Sequence, residues 1–495
     1  MMFMFQVNMR PKTIVVRAFN TMGRVNASSR SIVVGSSSRR LSLASTSSAD
    51  TSTLPTHLDV TKVILKRKPQ SKAVRNGNQL VFSRAIDRFE GAEPKMAKIV
   101  QVLVHDDPKP VALGYGVYNP NSLYRVRILC HRFLQPQLFQ SMTNSPDETT
   151  ALRLVVHHHL RKAIMTRQAL QLPKAGVTDT YRLINGEGDQ LSGLAVDIIG
   201  KTAVVMSSAG WCQQHQTVIT ECLREQLPKD TTIVWKTTQN RLEQDGYEPD
   251  KDSMVSAGLD YPLSEDEMVI SMENGIRYQT YPYGDGQKTG VYCDQRENRL
   301  HVAQLCQGKR VLDLCCYHGG FSLNAAINGG ALQVTGVDSS EDAVVTCRQD
   351  AELNGLVGED RIKFVRSDIT TFLQESVGQS VYDVVVLDPP KLAPSANGLD
   401  KARRKYHSFN RDAIKLVAPE GGLLLTCTCS AAMTQKDGGQ YFLNMVQGAA
   451  LATGREVTLL RVSGAASCHT QSPIAWPAGA YLTAALFYVH PVETA

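Results

Sequence analysis

A chain of 495 residues is too long for one ordinary core, and at ~100–200 residues per domain it points to about three. Its 42% hydrophobic and 20% charged residues are those of a soluble globular protein, and without a long apolar run no membrane span is expected. Eleven cysteines, an odd number without regular spacing, read as thiols rather than a disulfide framework.

The net charge of +6 is unevenly placed. Residues 1–49 hold Arg10, Lys12, Arg17, Arg24, Arg30, Arg39, Arg40 and ten serines, with no Asp or Glu. That composition reads as an organelle transit peptide within a 1–56 leader, mitochondrial before plastid because arginine is frequent. A plain disordered tail does not account for the missing acids. The remainder is close to neutral, so nucleic acid would have to be held by a local basic patch.

Folded sequence starts near Val60. Residues 60–65, 79–82, 99–104 and 123–129 are apolar or alternating and separated by Gly77, Gly91, Pro108, Gly114, Gly116 and Pro120. They predict a small β-rich domain over 60–135. A central α+β domain over 147–300 follows, with a helix at 150–170, strands at 181–184, 194–198 and 203–207, and a hairpin-like stretch at 268–293. The run His157-His158-His159 lacks partner ligands and reads as surface, and no metal is expected. Over 301–495 short apolar strands (310–314, 333–337, 362–365, 381–387, 423–427) alternate with helices at 322–327, 341–354, 369–376 and 399–417. That rhythm predicts an α/β fold with a parallel sheet covered on both faces, beginning near Gly308.

The first of these strands ends at Asp313 and runs into Cys315-Cys316-Tyr317-His318-Gly319-Gly320-Phe321-Ser322. Glycines at a strand-to-helix turn let backbone approach a ligand, but G-x-G-x-x-G is absent, so no pyrophosphate need be cradled. The second strand ends at Asp338-Ser339, placed for ribose hydroxyls, and the third near Asp368, placed for the adenine amine. Three carboxylates at successive strand tips, with a Gly turn after the first, fit S-adenosylmethionine better than NAD, although Asp338 and Asp368 could each be helix N-caps. The candidate cofactor residues in this region are Asp313, Tyr317, Gly319, Phe321, Asp338, Ser339, Asp368 and Asp388.

The fourth strand ends Asp388-Pro389-Pro390-Lys391, where two prolines stop the ladder and fix the backbone. A rigid carboxylate there suits a flat base. The fifth ends Thr428-Cys429-Ser430, at the mouth of the same crevice. Methylating C5 of a pyrimidine requires a nucleophile at C6, and a thiolate can supply it. On residues alone Cys429 is open to two readings, nucleophile or small buried hydrophobe. Cys427, two residues earlier, is expected to be buried. An RNA-facing patch is predicted from Arg125, Arg127, Pro389, Pro390, Lys391, Lys401, Arg403, Arg404 and Lys405, against the plainer reading of a solvated helix face.

From about Lys62 onward the chain resembles the bacterial large-subunit ribosomal RNA cytosine-C5 methyltransferase I family. The resemblance lies in residues 181–189 (Tyr-Arg-Leu-Ile-Asn-Gly-Glu-Gly-Asp), 287–299 (Gln-Lys-Thr-Gly-Val-Tyr-Cys-Asp-Gln-Arg-Glu-Asn-Arg), 313–322, 388–391 and 428–430. It implies an N-terminal PUA RNA-binding domain, a central linker domain and a Rossmann-like class I methyltransferase sheet. It also implies that segment 287–299 flanks the methyl donor, with Gln287 and Arg296 as cofactor residues, and that Cys429 occupies the nucleophile position. Ser192 replaces a proline of the family's Asp-Gly-Leu-Pro-Gly turn, and Cys315-Cys316-Tyr317-His318 departs from its Leu-Phe-Cys-Tyr-Thr run.

The expected activity is therefore S-adenosylmethionine-dependent methylation of cytosine C5 in ribosomal RNA, with Cys429 and Asp388 catalytic. The expected partner is large-subunit ribosomal RNA and not a membrane; a homodimer is an open expectation. Two other functions compete: ring-nitrogen methylation of guanine, which needs no thiol, and non-catalytic RNA binding during ribosome assembly. Exocyclic-amine methylation is disfavoured because Lys391 stands where such enzymes carry an aromatic.

Overall fold

A computed structural model describes residues 57–68, 71–105, 109–237, 239–248, 268–282, 291–358, 360–376, 378, 381–393, 398–476 and 478–492. The leader, Gln287 and residues 288–290 lie outside them.

The N-terminal region forms a six-stranded sheet in the order Leu80–Phe82, Tyr124–His131, Val111–Tyr118, Ile99–Val104, Lys62–Leu65, Ile86–Glu90. Val111–Tyr118 and Ile86–Glu90 were not anticipated. Gly114 and Gly116 read as punctuation, yet they lie inside a strand, where a Cβ would sit 2.1 Å from the Cys130 carbonyl oxygen and 2.5 Å from that of Arg127. Here glycine serves close backbone approach, not a turn.

The central region is a four-stranded sheet, Thr232–Thr237, Thr202–Ser207, Leu194–Ile199, Thr180–Asn185, with the long helix Glu148–Ala169. One hydrophobic cluster joins the two regions, from Ile99, Tyr115 and Leu129 to Val155, Val196 and Trp211. His159 is a correction: it is 1% exposed, and its Nε2 lies 2.6 Å from the Leu129 carbonyl oxygen. Burial depresses its pKa to about 4, so it is a neutral strut between helix and sheet rather than a surface histidine. Arg127 is also no RNA contact. It is buried, donates to Asp245 Oδ1 at 2.8 Å, and donates to Ser192 Oγ at 2.8 Å. Ser192 in turn donates to Glu187 Oε1 at 2.6 Å, so the residue replacing proline ties the two regions together.

The C-terminal sheet has seven strands: β1 Arg310–Leu314, β2 Gln333–Asp338, β3 Ile362–Arg366, β4 Val384–Leu387, β5 Gly422–Thr428, β6 Val457–Ser463 and β7 Thr483–Val489. Their order is β3-β2-β1-β4-β5-β7-β6, with β1 to β5 parallel and β7 antiparallel to both neighbours. The strand order reverses between β1 and β4, so their carboxyl ends open the crevice where such sheets bind ligands. Strands β6 and β7 were not anticipated; β6 is an edge strand, largely exposed although it carries Val457, Leu459, Leu460 and Val462. The hairpin Val269–Glu273/Ile276–Thr280 docks on this domain, with Gln279 N donating to Asp350 Oδ1 at 2.8 Å and Arg299 paired to buried Glu273 at 2.8 Å. Among the described residues no helix is long and apolar enough to cross a membrane.

Candidate active site

A cavity of about 1990 Å³ opens at the carboxyl ends of β1, β2 and β4 and extends towards the N-terminal sheet. Its wall includes Tyr317, Phe321, Asp338, Ser339, Asp368, Asp388, Pro389, Pro390, Lys391 and Cys429. These residues come from five separate strand ends or the loops that follow them.

The β1 loop is conformationally costly. Cys315, Tyr317 and Gly319 have φ of 63°, 49° and 69°. Only the glycine adopts this freely; the other two store about 1–3 kcal/mol each, as local strain at functional loops does. Asp338 holds the loop in shape, because its Oδ2 accepts from Tyr317 N at 2.9 Å and its Oδ1 from Ser340 N at 3.0 Å. The Tyr317 ring stacks on His318, centroids 3.8 Å apart, and meets Tyr292 edge-on at 4.9 Å. Burial, then Arg299, lowers the His318 pKa to about 4, so the ring is neutral.

Asp368 caps helix Ile369–Glu375 through Thr370 N at 2.8 Å while still lining the cavity. Asp338 caps no helix; Ser340 is the N-cap there.

Asp313 departs from its expected place. It is fully buried within β1 and is not on the cavity wall. Its Oδ2 accepts from Ser322 N at 2.9 Å and Ser322 Oγ at 2.7 Å, anchoring the start of helix Gly320–Ile327. Burial raises its pKa to about 7, against the lowering effect of those hydrogen bonds. Its Oδ1 has no hydrogen-bond partner among the described residues. Arg296 is likewise off the wall: it is 6% exposed and directs Nη1 at Cys468 Sγ, 3.4 Å away. Gly319 is also absent from the wall; it supplies the turn's positive φ, and a Cβ there would sit 3.2 Å from Cys347 Sγ. Arg404 is exposed on helix Leu399–Lys415, away from the wall, as are Lys401 and Arg403, whereas Lys405 is on it.

Gln295 was missed in the sequence, although its segment was singled out. Its Nε2 donates to Asp388 Oδ2 at 3.1 Å, and its Oε1 accepts from Asn298 Nδ2 at 2.6 Å. Asn298 is oriented by Ser463 Oγ, which donates to its Oδ1 at 2.7 Å. This buried chain defines which way the Gln295 amide faces. Tyr292 and His469 also line the cavity and were not named individually.

Strand alternation orients Cys429. Thr428 and Ser430 are fully buried, with Thr428 Oγ1 donating to the Tyr406 hydroxyl at 2.9 Å and Ser430 Oγ to Ala393 O at 2.7 Å. Cys429, between them, turns the other way and reaches the cavity, half-buried. Cys427 is fully buried, opposite Ala484 of β7, and burial beside Asp388 drives its pKa far up. Leu387 pairs with Thr426, so Asp388 and Cys429 leave adjacent strands on the same side of the sheet. Tyr292 and Tyr406 both lie within electrostatic reach of Cys429 and Asp388.

The donor set fits S-adenosylmethionine. Asp338 and Asp368 present carboxylates at the cavity for ribose hydroxyls and an adenine amine, beside the rings of Tyr317 and Phe321. Family comparison agrees. A family model of S-adenosylmethionine-dependent methyltransferases matches residues 190–447, and a PUA-like domain model matches residues 63–131. The chain is 33% identical over 423 residues to the ribosomal RNA large subunit methyltransferase I of Photobacterium profundum, covering 85% of this chain and 98% of that protein. The Klebsiella pneumoniae protein of the same name is 30% identical over 418 residues, covering 84% and 95%. A methyltransferase structure containing S-adenosylhomocysteine superimposes with a TM-score of 0.66 at 22% identity, covering 86% of this chain and 100% of that one. An S-adenosylmethionine-dependent methyltransferase from Streptococcus mutans gives 0.65 at 21%, with the same coverage, and these two likenesses establish the fold. The chain belongs to the ribosomal RNA large subunit methyltransferase I family of S-adenosylmethionine-dependent methyltransferases.

Proposed function

We propose that the chain transfers a methyl group to C5 of a cytosine in large-subunit ribosomal RNA. The observation that carries this reading is the exposure of Cys429, and not Cys427, in the cavity that holds Asp388. A guanine ring-nitrogen methyltransferase needs no thiol there, and the relatives' names supply the RNA.

In this reading the Cys429 thiolate adds to C6 of the cytosine, making C5 electron-rich. Asp388, held by Gln295, fixes the cytosine N3/N4 edge. Bound S-adenosylmethionine supplies the electrophilic methyl group. A base then removes the C5 proton, the C6–S bond breaks, and Cys429 is regenerated. Asp338 and Asp368 hold the nucleoside end of the donor, with Tyr317, Phe321 and Ser339 around it.

We also propose that the enzyme works in an organelle, mitochondrion before plastid, on the strength of the arginine-rich, acid-free residues 1–49. A homodimer belongs to the same proposal. The test is mapping of 5-methylcytosine in organelle and cytosolic large-subunit ribosomal RNA, with and without the protein. Loss of a modified cytosine from the organelle RNA is expected; an unchanged map contradicts the proposal.

A further inference from the structure

The connection between β6 and β7 is fastened along both of its legs. On the outgoing leg Ala466 N donates to Asp294 O at 2.7 Å, Arg167 Nη2 to Cys468 O at 2.7 Å, and Asn185 Nδ2 to Thr470 O at 2.8 Å. On the return leg Gln435 Nε2 donates to Ala478 O at 2.6 Å and Ala480 O at 2.7 Å, and Tyr481 Oη to Asp294 Oδ2 at 2.8 Å. Between the legs, the single turn Pro473–Ala475 holds up two large apolar side chains. Ile474 is 43% and Trp476 is 63% exposed.

Scattered exposed hydrophobics need no explanation, but this pair has a particular position. Both line the cavity that contains Asp388 and Cys429. Ile474 also lines a second cavity, of about 220 Å³, against Ile128 and His131 of the N-terminal sheet and Leu134 of the turn after it. The tip therefore stands between the PUA-like sheet and the reaction crevice. Its exposure is not slack chain, since both legs are hydrogen-bonded.

We propose that Trp476, backed by Ile474, is the stacking platform for the RNA base adjacent to the target cytosine. A cytosine cannot reach Cys429 while stacked in a helix, so it must be drawn out, and its neighbour then loses a stacking face. An indole offers that face to any base, whatever its identity. Lys391 and Lys405 on the same cavity wall supply cations for the intervening phosphates. Trp476 is thus a positioning residue, and its role rests on the RNA-methyltransferase reading above.

The test uses the full chain with S-adenosylhomocysteine and a fluorescein-labelled, single-stranded twelve-nucleotide cytidine RNA. Trp476→Phe is expected to bind within about twofold of wild type, whereas Trp476→Ala and Trp476→Leu weaken binding by about tenfold, the scale of one lost base stack. S-adenosylhomocysteine affinity is expected to stay unchanged in all three. In a Trp235→Phe background, RNA is also expected to quench tryptophan emission when Trp476 is present and not in Trp476→Phe, because Trp211 is buried and Trp235, which also lines the cavity, is removed. Wild-type affinity in Trp476→Ala, or in Trp476→Leu, overturns the platform and leaves the methyltransferase reading intact. Equal quenching with and without Trp476 in that background does the same, even if Trp476→Ala fails to fold. A wild-type protein with no affinity for RNA overturns both.

Discussion

Gln295 Nε2 donates to Asp388 Oδ2 across 3.1 Å, linking the segment before the methyltransferase sheet to the carboxylate at the end of β4. The Asn298 amide fixes Gln295 from behind, so Asp388 has a defined orientation before any base arrives. Gln295→Leu is expected to slow single-turnover methyl transfer about tenfold or more, since a hydrogen bond to a charged group is worth ~1.5–3 kcal/mol. S-adenosylmethionine affinity is expected to change little. An unchanged transfer rate would remove Gln295 from the positioning of Asp388.

Asp338 supports both the β1 loop and the proposed ribose contact. Asp338→Ala is expected to weaken S-adenosylmethionine binding about tenfold or more, on the same ~1.5–3 kcal/mol scale. Calorimetric titration checks this, and wild-type affinity would exclude the contact.

Asp313 gives a pH signature. Its pKa is raised to about 7 from the ordinary carboxylate value of 3.8, with burial the first cause. The folded, ligand-free state therefore holds a proton there that the unfolded chain releases, so this group's stabilising contribution falls as pH rises from 3.8 towards 7. Asp313→Asn keeps an acceptor for Ser322 and removes the titration. The slope of melting temperature against pH over that window is expected to flatten in the variant relative to wild type. Identical slopes would contradict the burial argument.

The basic patch divides in two. Lys391 and Lys405 line the cavity, while Lys401, Arg403 and Arg404 do not. Neutralising Lys391 and Lys405 is expected to lower the salt slope of RNA binding by about 1.4, at ~0.7 for each single-strand phosphate contact. Neutralising the other three is expected to change it less. The reverse ranking, from affinities at several salt concentrations, would move the RNA path onto the exposed face of the helix.

The sheet and most of the site were legible because the relevant signals are local. Short apolar strands ending in Asp338, Asp388-Pro389-Pro390 and Cys429 report their own position at the carboxyl edge. Asp313 misled because a carboxylate in a strand looks the same whether it faces a ligand or a helix start, and Ser322 is nine residues further on. Arg127 and His159 misled because their partners, Asp245 and the Leu129 carbonyl, lie in other elements. Gln295 was hidden for the same reason: the Gln295–Asp388 pair spans two domains. Strands β6 and β7 lie beyond the last strand–helix repeat, so their apolar residues, Val457, Leu459, Leu460 and Val462 in one and Ala484, Ala485, Leu486 and Phe487 in the other, were passed over.

Cys429 is the proposed covalent nucleophile, and Cys427 is its internal control on the same strand face. RNA carrying 5-fluorocytidine at the target position blocks the final proton loss and leaves the C6–S bond in place. The measurement is recovery of an enzyme–RNA adduct on a denaturing gel in the presence of S-adenosylmethionine. Wild type and Cys427→Ala are expected to form the adduct, and Cys429→Ala is not. An adduct with Cys429→Ala, or near wild-type methylation by that variant, would contradict the cytosine-C5 assignment.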